Sequence, residues 1–150
     1  MHMTFTLSSP AFRHESTVPV TFTCDGDDVP PPLSWSGTPN GTRSFALVLD
    51  DPDAPGGTFT HWLLYDIPPH TTDLSASPVG KTLRNGFGRS GYGGPCPPLG
   101  HGAHRYFFTL YALDVPTLSF RGKGREDMEK AMQGHVLATA RLMGRYERAR

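Results

Sequence analysis

Short apolar runs separated by polar and turn-forming residues organise this chain, and their period is mostly that of a β-strand. Residues 5–7 (FTL), 20–24 (VTFTC), 33–35 (LSW), 44–50 (SFALVLD), 61–67 (HWLLYDI) and 105–114 (RYFFTLYALD) are the strand candidates. Between the third and fourth, TPNGTR predicts a turn with Asn40 and Gly41 at its tip, where a positive φ costs little. Residues 68–103 are broken by Pro68, Pro69, Pro78 and a series of glycines, a pattern of long ordered loops. In the C-terminal third the period lengthens. Met128, Ala131 and Met132, then Val136, Ala140 and Met143, recur at helical spacing. Glu126 and Asp127 stand early there and Arg141, Arg145 and Arg148 late, as a helix dipole favours. Gly134 is read as the break between two short helices whose methionines pack on the core.

Composition agrees with a sheet protein. Gly (17) and Pro (15) make up about a fifth of the 150 residues, against roughly 12% in an average chain. With short strands between them, they argue for an all-β sandwich or barrel, as one domain over residues 1–150. Basic and acidic residues balance at 14 each, so no electrostatic footprint for nucleic acid or an anionic membrane is present. No stretch approaches the ~18 apolar residues that span a bilayer, so stable membrane insertion is not expected. The start, MHMTFTLSS, lacks the basic and apolar regions of a secretion signal, and a cytoplasmic location is the expectation. Cys24 and Cys96 have no metal-ligand spacing and are expected as reduced thiols, a disulfide being left open should the fold bring them together.

Candidate chemistry gathers in three segments: DDPDAPGG (50–57), THW (60–62) and GYGGPCPPLGHGAHRY (91–106). An acidic cluster directly after the apolar run FALVL is either a proline-stiffened turn or one wall of a site. His61, His101 and His104 taken singly read as structural or solvated histidines. Rigid loops converging with a small set of polar side chains favour a site.

The pair DPDAP…HW and GPCPPLGHGAHRY resembles the two signature regions of the phosphatidylethanolamine-binding proteins, also called Raf kinase inhibitor-like proteins. CDGDDVPPPLSW is similar to the small bacterial and archaeal branch, and the likeness runs from about Cys24 to GHVLATARLMGRY. The resemblance implies a mainly β fold, a sandwich of two antiparallel sheets flanked by short C-terminal helices, with a small anion-binding pocket at one end. Residue by residue, Asp51 and Asp53 match the acids of the first motif and His61 its histidine. Gly94, Pro97, Pro98, His104 and Tyr106 match the second region, Cys96 fits the bacterial CPP form, and Phe59 falls at the pocket mouth. GGTFT, between DPDAP and HW, is shorter than in the eukaryotic proteins, so the rim there is expected to be reduced.

Elementary electrostatics supports the same site. Two carboxylates beside two imidazoles are expected to raise the histidine pKa values above about 6.5. Charged His61 and His104 then hold a phosphate or carboxylate, with backbone N–H groups of the glycine loop assisting. A cis Ala54–Pro55 bond is expected to turn the acidic segment. The expected ligand is a small anion (phosphate, phosphomonoester, head group or carboxylate), with no cofactor. A kinase or protease restrained by the module is a further partner reading. The rival readings are a hydrolase with Cys96 or Ser90 as nucleophile and a pocket histidine as base, and a zinc site at Asp51, Asp53, His61 and His104.

Overall fold

The computed structural model describes residues 4–122 and 124–149. Strands β1 (Thr6–Ser8), β2 (Leu33–Ser36) and β5 (Asp73–Leu74) form a small sheet in the order β1-β2-β5. Strands β3 (Ser44–Asp51), β4 (Phe59–Ile67), β6 (Lys81–Thr82), β7 (His104–Leu113) and β8 (Val136–Tyr146) form a larger one, in the order β6-β4-β3-β7-β8. All named strand pairs are antiparallel. Among the described residues one α-helix, α1 (Arg125–Met132), lies outside the larger sheet.

The apolar run of β3 has a direct cause. Phe45, Leu47 and Leu49 face the small sheet and pack with Trp35, Trp62, Tyr106 and Phe108. Ala46 and Val48 face the other way, under Met128 and Met132 of α1. A strand buried on both faces reads as continuous hydrophobicity rather than alternation. Beyond Leu49 the parity continues into the acids. Asp51 keeps the inner side, while Asp50 keeps the outer side and pairs with Arg125 of α1.

Three expectations are corrected here. Residues 20–24 do not form a strand. Val20–Phe22 is a 3₁₀ turn after Pro19, with the Thr23 hydroxyl donating to the Val20 carbonyl at 2.8 Å. The second C-terminal helix is strand β8, which pairs with β7 from His104↔Tyr146 to Leu113↔Val136. Ala140 and Leu142 fill the inner face at period two. The helix-forming content of LATARLM yields to the exposed edge that β7 would otherwise present. Finally, Cys24 and Cys96 are joined in a disulfide, so neither is a thiol. Among the described residues no helix is long and apolar enough to cross a membrane.

Candidate ligand-binding site

The end of β3 and the start of β7 lie side by side at one end of the sandwich, and each delivers one buried titratable group. His104 Nδ1–H donates to Asp51 Oδ2 at 2.6 Å, and both side chains are almost wholly enclosed. Asp51 Oδ1 accepts the backbone N–H of Asp53 at 2.8 Å, an Asx-type turn that shapes the DPDAP segment. The Gly57 N–H closes the same segment on the Ala54 carbonyl at 3.1 Å. These two bonds make the turn with every described peptide bond trans, so the expected cis Ala54–Pro55 is not present.

His61 reaches the site through a register shift. Leu49 pairs with Trp62 and Asp50 with Thr60, which leaves His61 as an extra residue in β4. A bulge of this kind re-aims a side chain that simple alternation would send to the other face. The His61 ring is enclosed by Phe59, Phe87 and Tyr106 at centroid distances of 4.9, 5.3 and 5.3 Å. Its Nδ1–H donates to the Gly93 carbonyl at 2.8 Å, which leaves Nε2 as an acceptor in the neutral ring. Burial pushes the His61 pKa below its usual value, outweighing the Gly93 carbonyl and the Asp51 charge that pull upward. The expectation of a raised pKa fails at His61, because desolvation wins there.

Asp51, Ala54, Pro55, Phe59, His61, Phe87, Cys96, Pro97, Pro98 and His104 surround a cavity of about 180 Å³. Of the expected residues, Asp51, Phe59, His61, Cys96, Pro97, Pro98 and His104 are brought together. Asp53, Gly94 and Tyr106 are not in the wall. Asp53 turns outward and is gripped by Arg105, which donates from its backbone N–H (2.9 Å), Nε (2.9 Å) and Nη2 (2.8 Å). Those bonds hold the Asp53 carboxyl at a pKa of about 2. Gly94 donates its N–H to Asp28 Oδ1 at 2.7 Å, and a Cβ there would stand 2.3 Å from the Phe22 carbonyl oxygen. The Gly93 N–H is spent on the His61 carbonyl. Neither glycine therefore offers an N–H to an anion, contrary to expectation. Tyr106 is buried beneath the two imidazoles and its hydroxyl makes no hydrogen bond among the described residues. Burial and the nearby Asp51 charge raise its pKa.

Phe87 was not legible as a site residue. It sits in the turn NGFG, braced by Asn85, whose Oδ1 accepts the N–H groups of Phe87 and Arg89 at 2.9 and 3.2 Å. The Asn85-Gly86 turn signal was available in the sequence. His101 is a second surprise. Its Nδ1 lies 2.6 Å from His104 Nε2, so both nitrogens of His104 are engaged.

The rival chemistries lose their residues. Cys96 is a disulfide sulfur, and the Ser90 hydroxyl pairs with Thr82 Oγ1 at 2.8 Å in an exposed position away from the cavity. Among the described residues no three His, Cys, Asp or Glu side chains converge as a metal site, since Asp53 faces Arg105. Three larger clefts among the described residues, of about 550 Å³ beside Asp66 and Lys81, about 460 Å³ beside Ser8 and Asp73 and about 260 Å³ beside Arg125 and Arg141, contain no imidazole.

A sandwich whose end carries an enclosed carboxylate–imidazole pair, a second imidazole and proline-rich walls defines a class of small-ligand-binding proteins. Residues 8–147 match the family model of the phosphatidylethanolamine-binding proteins, and the chain belongs to that family. A UPF0098 protein of Aquifex aeolicus is 48% identical over 148 residues, covering 93% of this chain and 86% of that one. LppC of Mycobacterium tuberculosis, named as a candidate lipoprotein, is 42% identical over 145 residues, covering 95% and 70%. Among solved structures, a candidate phosphatidylethanolamine-binding protein homologue of Chlamydia trachomatis superposes with a TM-score of 0.90 at 39% identity, over 96% of this chain and 97% of that one. Escherichia coli YbcL, described as a member of the mammalian family, gives 0.86 at 31% identity, over 95% and 98%.

Proposed function

We propose that this chain binds a small molecule bearing a phosphoryl or carboxylate group, without catalysing its conversion. The observation that carries this reading is the buried Asp51–His104 pair facing a cavity walled as well by His61, Cys96, Phe59, Phe87 and prolines. At about 180 Å³ the cavity is below the ~300–1,000 Å³ of drug-sized sites, which suits a head group or a free anion. Neutral His61 offers Nε2 to the proton of a phosphate monoanion, or takes up a proton as a dianion enters. Binding is then favoured by acid.

A kinase or protease partner would meet the site at its rim, where Phe87 and Leu99 are exposed apolar side chains. The Cys24–Cys96 disulfide favours an oxidising compartment over the cytoplasm, and the lipoprotein name of LppC points the same way.

Titration calorimetry with phenyl phosphate tests the reading. Wild-type protein binds, more tightly at pH 5.5 than at pH 8 as an order-of-magnitude window about the usual histidine pKa. His61→Ala loses roughly tenfold or more in affinity, the size of one hydrogen bond to a charged group. Equal heats for wild type and variant would remove the cavity from consideration.

A further inference from the structure

His104 has two polar atoms, and both are in use. Nδ1–H is held by Asp51, and Nε2 touches His101 Nδ1 at 2.6 Å. A nitrogen–nitrogen contact that short holds one proton. If both atoms carried hydrogens the two would collide, so the touching pair cannot present two donors. Any anion that reaches His104 must therefore meet His101 first.

His101 has open space around it. It is exposed at the tip of a turn in which its N–H donates to the Pro98 carbonyl at 3.1 Å. Gly100 and Gly102 flank it with φ of +73° and +90°, conformations that favour glycine, and nothing lies within 4 Å of where a Cβ on Gly102 would stand. The nearby Gly93 and Gly94 N–H groups are engaged elsewhere. The remaining charges around the pair are fixed. Asp51 comes from β3, Asp53 is held by Arg105, His61 comes from β4 with Tyr106 beneath it, and Arg148 is paired with Asp25 at 3.1 Å.

We propose that His101 and His104 form a two-imidazole clamp, a phosphoryl oxygen entering between the two nitrogens that touch. His104 Nε2–H and His101 Nδ1–H then both donate to the oxyanion, and the site takes up the proton that the closed pair lacks. This rests on the anion-binding reading above and assigns to His101 a ligand contact at the cavity mouth.

The test is titration calorimetry on the whole protein in two buffers of different protonation enthalpy. Inorganic phosphate, phosphorylethanolamine and glycerophosphoethanolamine serve as separate titrants. His101 is exposed, so His101→Ala and His101→Asn remain folded, as a thermal melt checks. His101→Ala weakens phosphate binding about tenfold, as loss of one charge-assisted hydrogen bond requires. His101→Asn retains affinity within a few-fold, because its amide N–H replaces Nδ1–H. The wild type takes up about one proton as phosphate binds, the hydrogen by which the open pair exceeds the closed one. Dependence on His101 with the two phosphate monoester-type titrants alone assigns free phosphate species, and dependence with the diester as well assigns a lipid head group. Either supports the clamp. Wild-type affinity in both variants would overturn it, as would a wild type that takes up no proton, or tighter binding by His101→Ala, which would make the imidazole a plug. A wild-type protein that binds none of the three titrants would instead bring down the anion-binding reading itself.

Discussion

Asp51 Oδ2 and His104 Nδ1 stand 2.6 Å apart with side chains only 4% and 2% exposed, and the candidate site is organised around that contact. Two strand ends that are neighbours in the sheet but 53 residues apart in sequence meet there. Enclosed at this depth, each group depends on the other for hydrogen bonding. His104→Ala leaves Asp51 with the Asp53 N–H alone, and unfolding stability should fall by about 3–5 kcal/mol, as for other broken buried pairs. Urea denaturation at neutral pH measures this. A loss below about 1 kcal/mol, the scale of an exposed pair, would show that the two groups are solvated.

His61 predicts the sign of an acid effect. Its folded pKa lies below the usual histidine value, so the unfolded chain binds its proton more tightly. Its contribution to stability is full above about pH 6.5 and is lost as pH falls from there through the folded value. Unfolding midpoints followed from pH 8 to pH 5 should decline for the wild type and decline less for His61→Gln. Identical profiles would mean that the ring is hydrated.

The disulfide ties residue 24 to residue 96, across a sequence separation of 72. Cross-links over loops of this length stabilise by about 2–4 kcal/mol, largely by restricting the unfolded chain. The double variant Cys24→Ser, Cys96→Ser should lose that much. Because Cys96 also lines the cavity, anion affinity should fall with it. Protein from an oxidising preparation should show no reactive thiol after denaturation without reductant, and finding two would refute the bond.

Gly94→Ala tests the support behind the wall. The added methyl would lie 2.3 Å from the Phe22 carbonyl oxygen and 2.6 Å from Asp28 Oδ1, so backbone has to move. Overpacking of this kind costs about 1–3 kcal/mol. Ligand affinity should fall as well, since Gly94 precedes Pro95 and Cys96 and the Gly93 carbonyl holds His61. A thermal melt and a phosphate titration on the same sample read both effects.

What could be read from the residues was whatever depends on short-range pattern. The two-sided burial of β3 writes itself as FALVL, and DPDAP, HW and the PCPPLGHGAHRY loop carry the site in side chains that adjoin in sequence. Tertiary pairing decided the rest. LATARLM has helical composition and spacing, yet it forms β8 because the β7 edge supplies more hydrogen bonds and packing than an isolated helix would. Proximity of Asp51, Asp53 and two histidines is legible, but orientation is not. Arg105 turns Asp53 out of the cavity, a one-residue register shift turns His61 in, and His101, flanked by two glycines, closes on His104. The Cys24–Cys96 bond and the lowered His61 pKa likewise depend on which groups are packed together and how deeply, and a one-dimensional pattern contains neither distance nor burial.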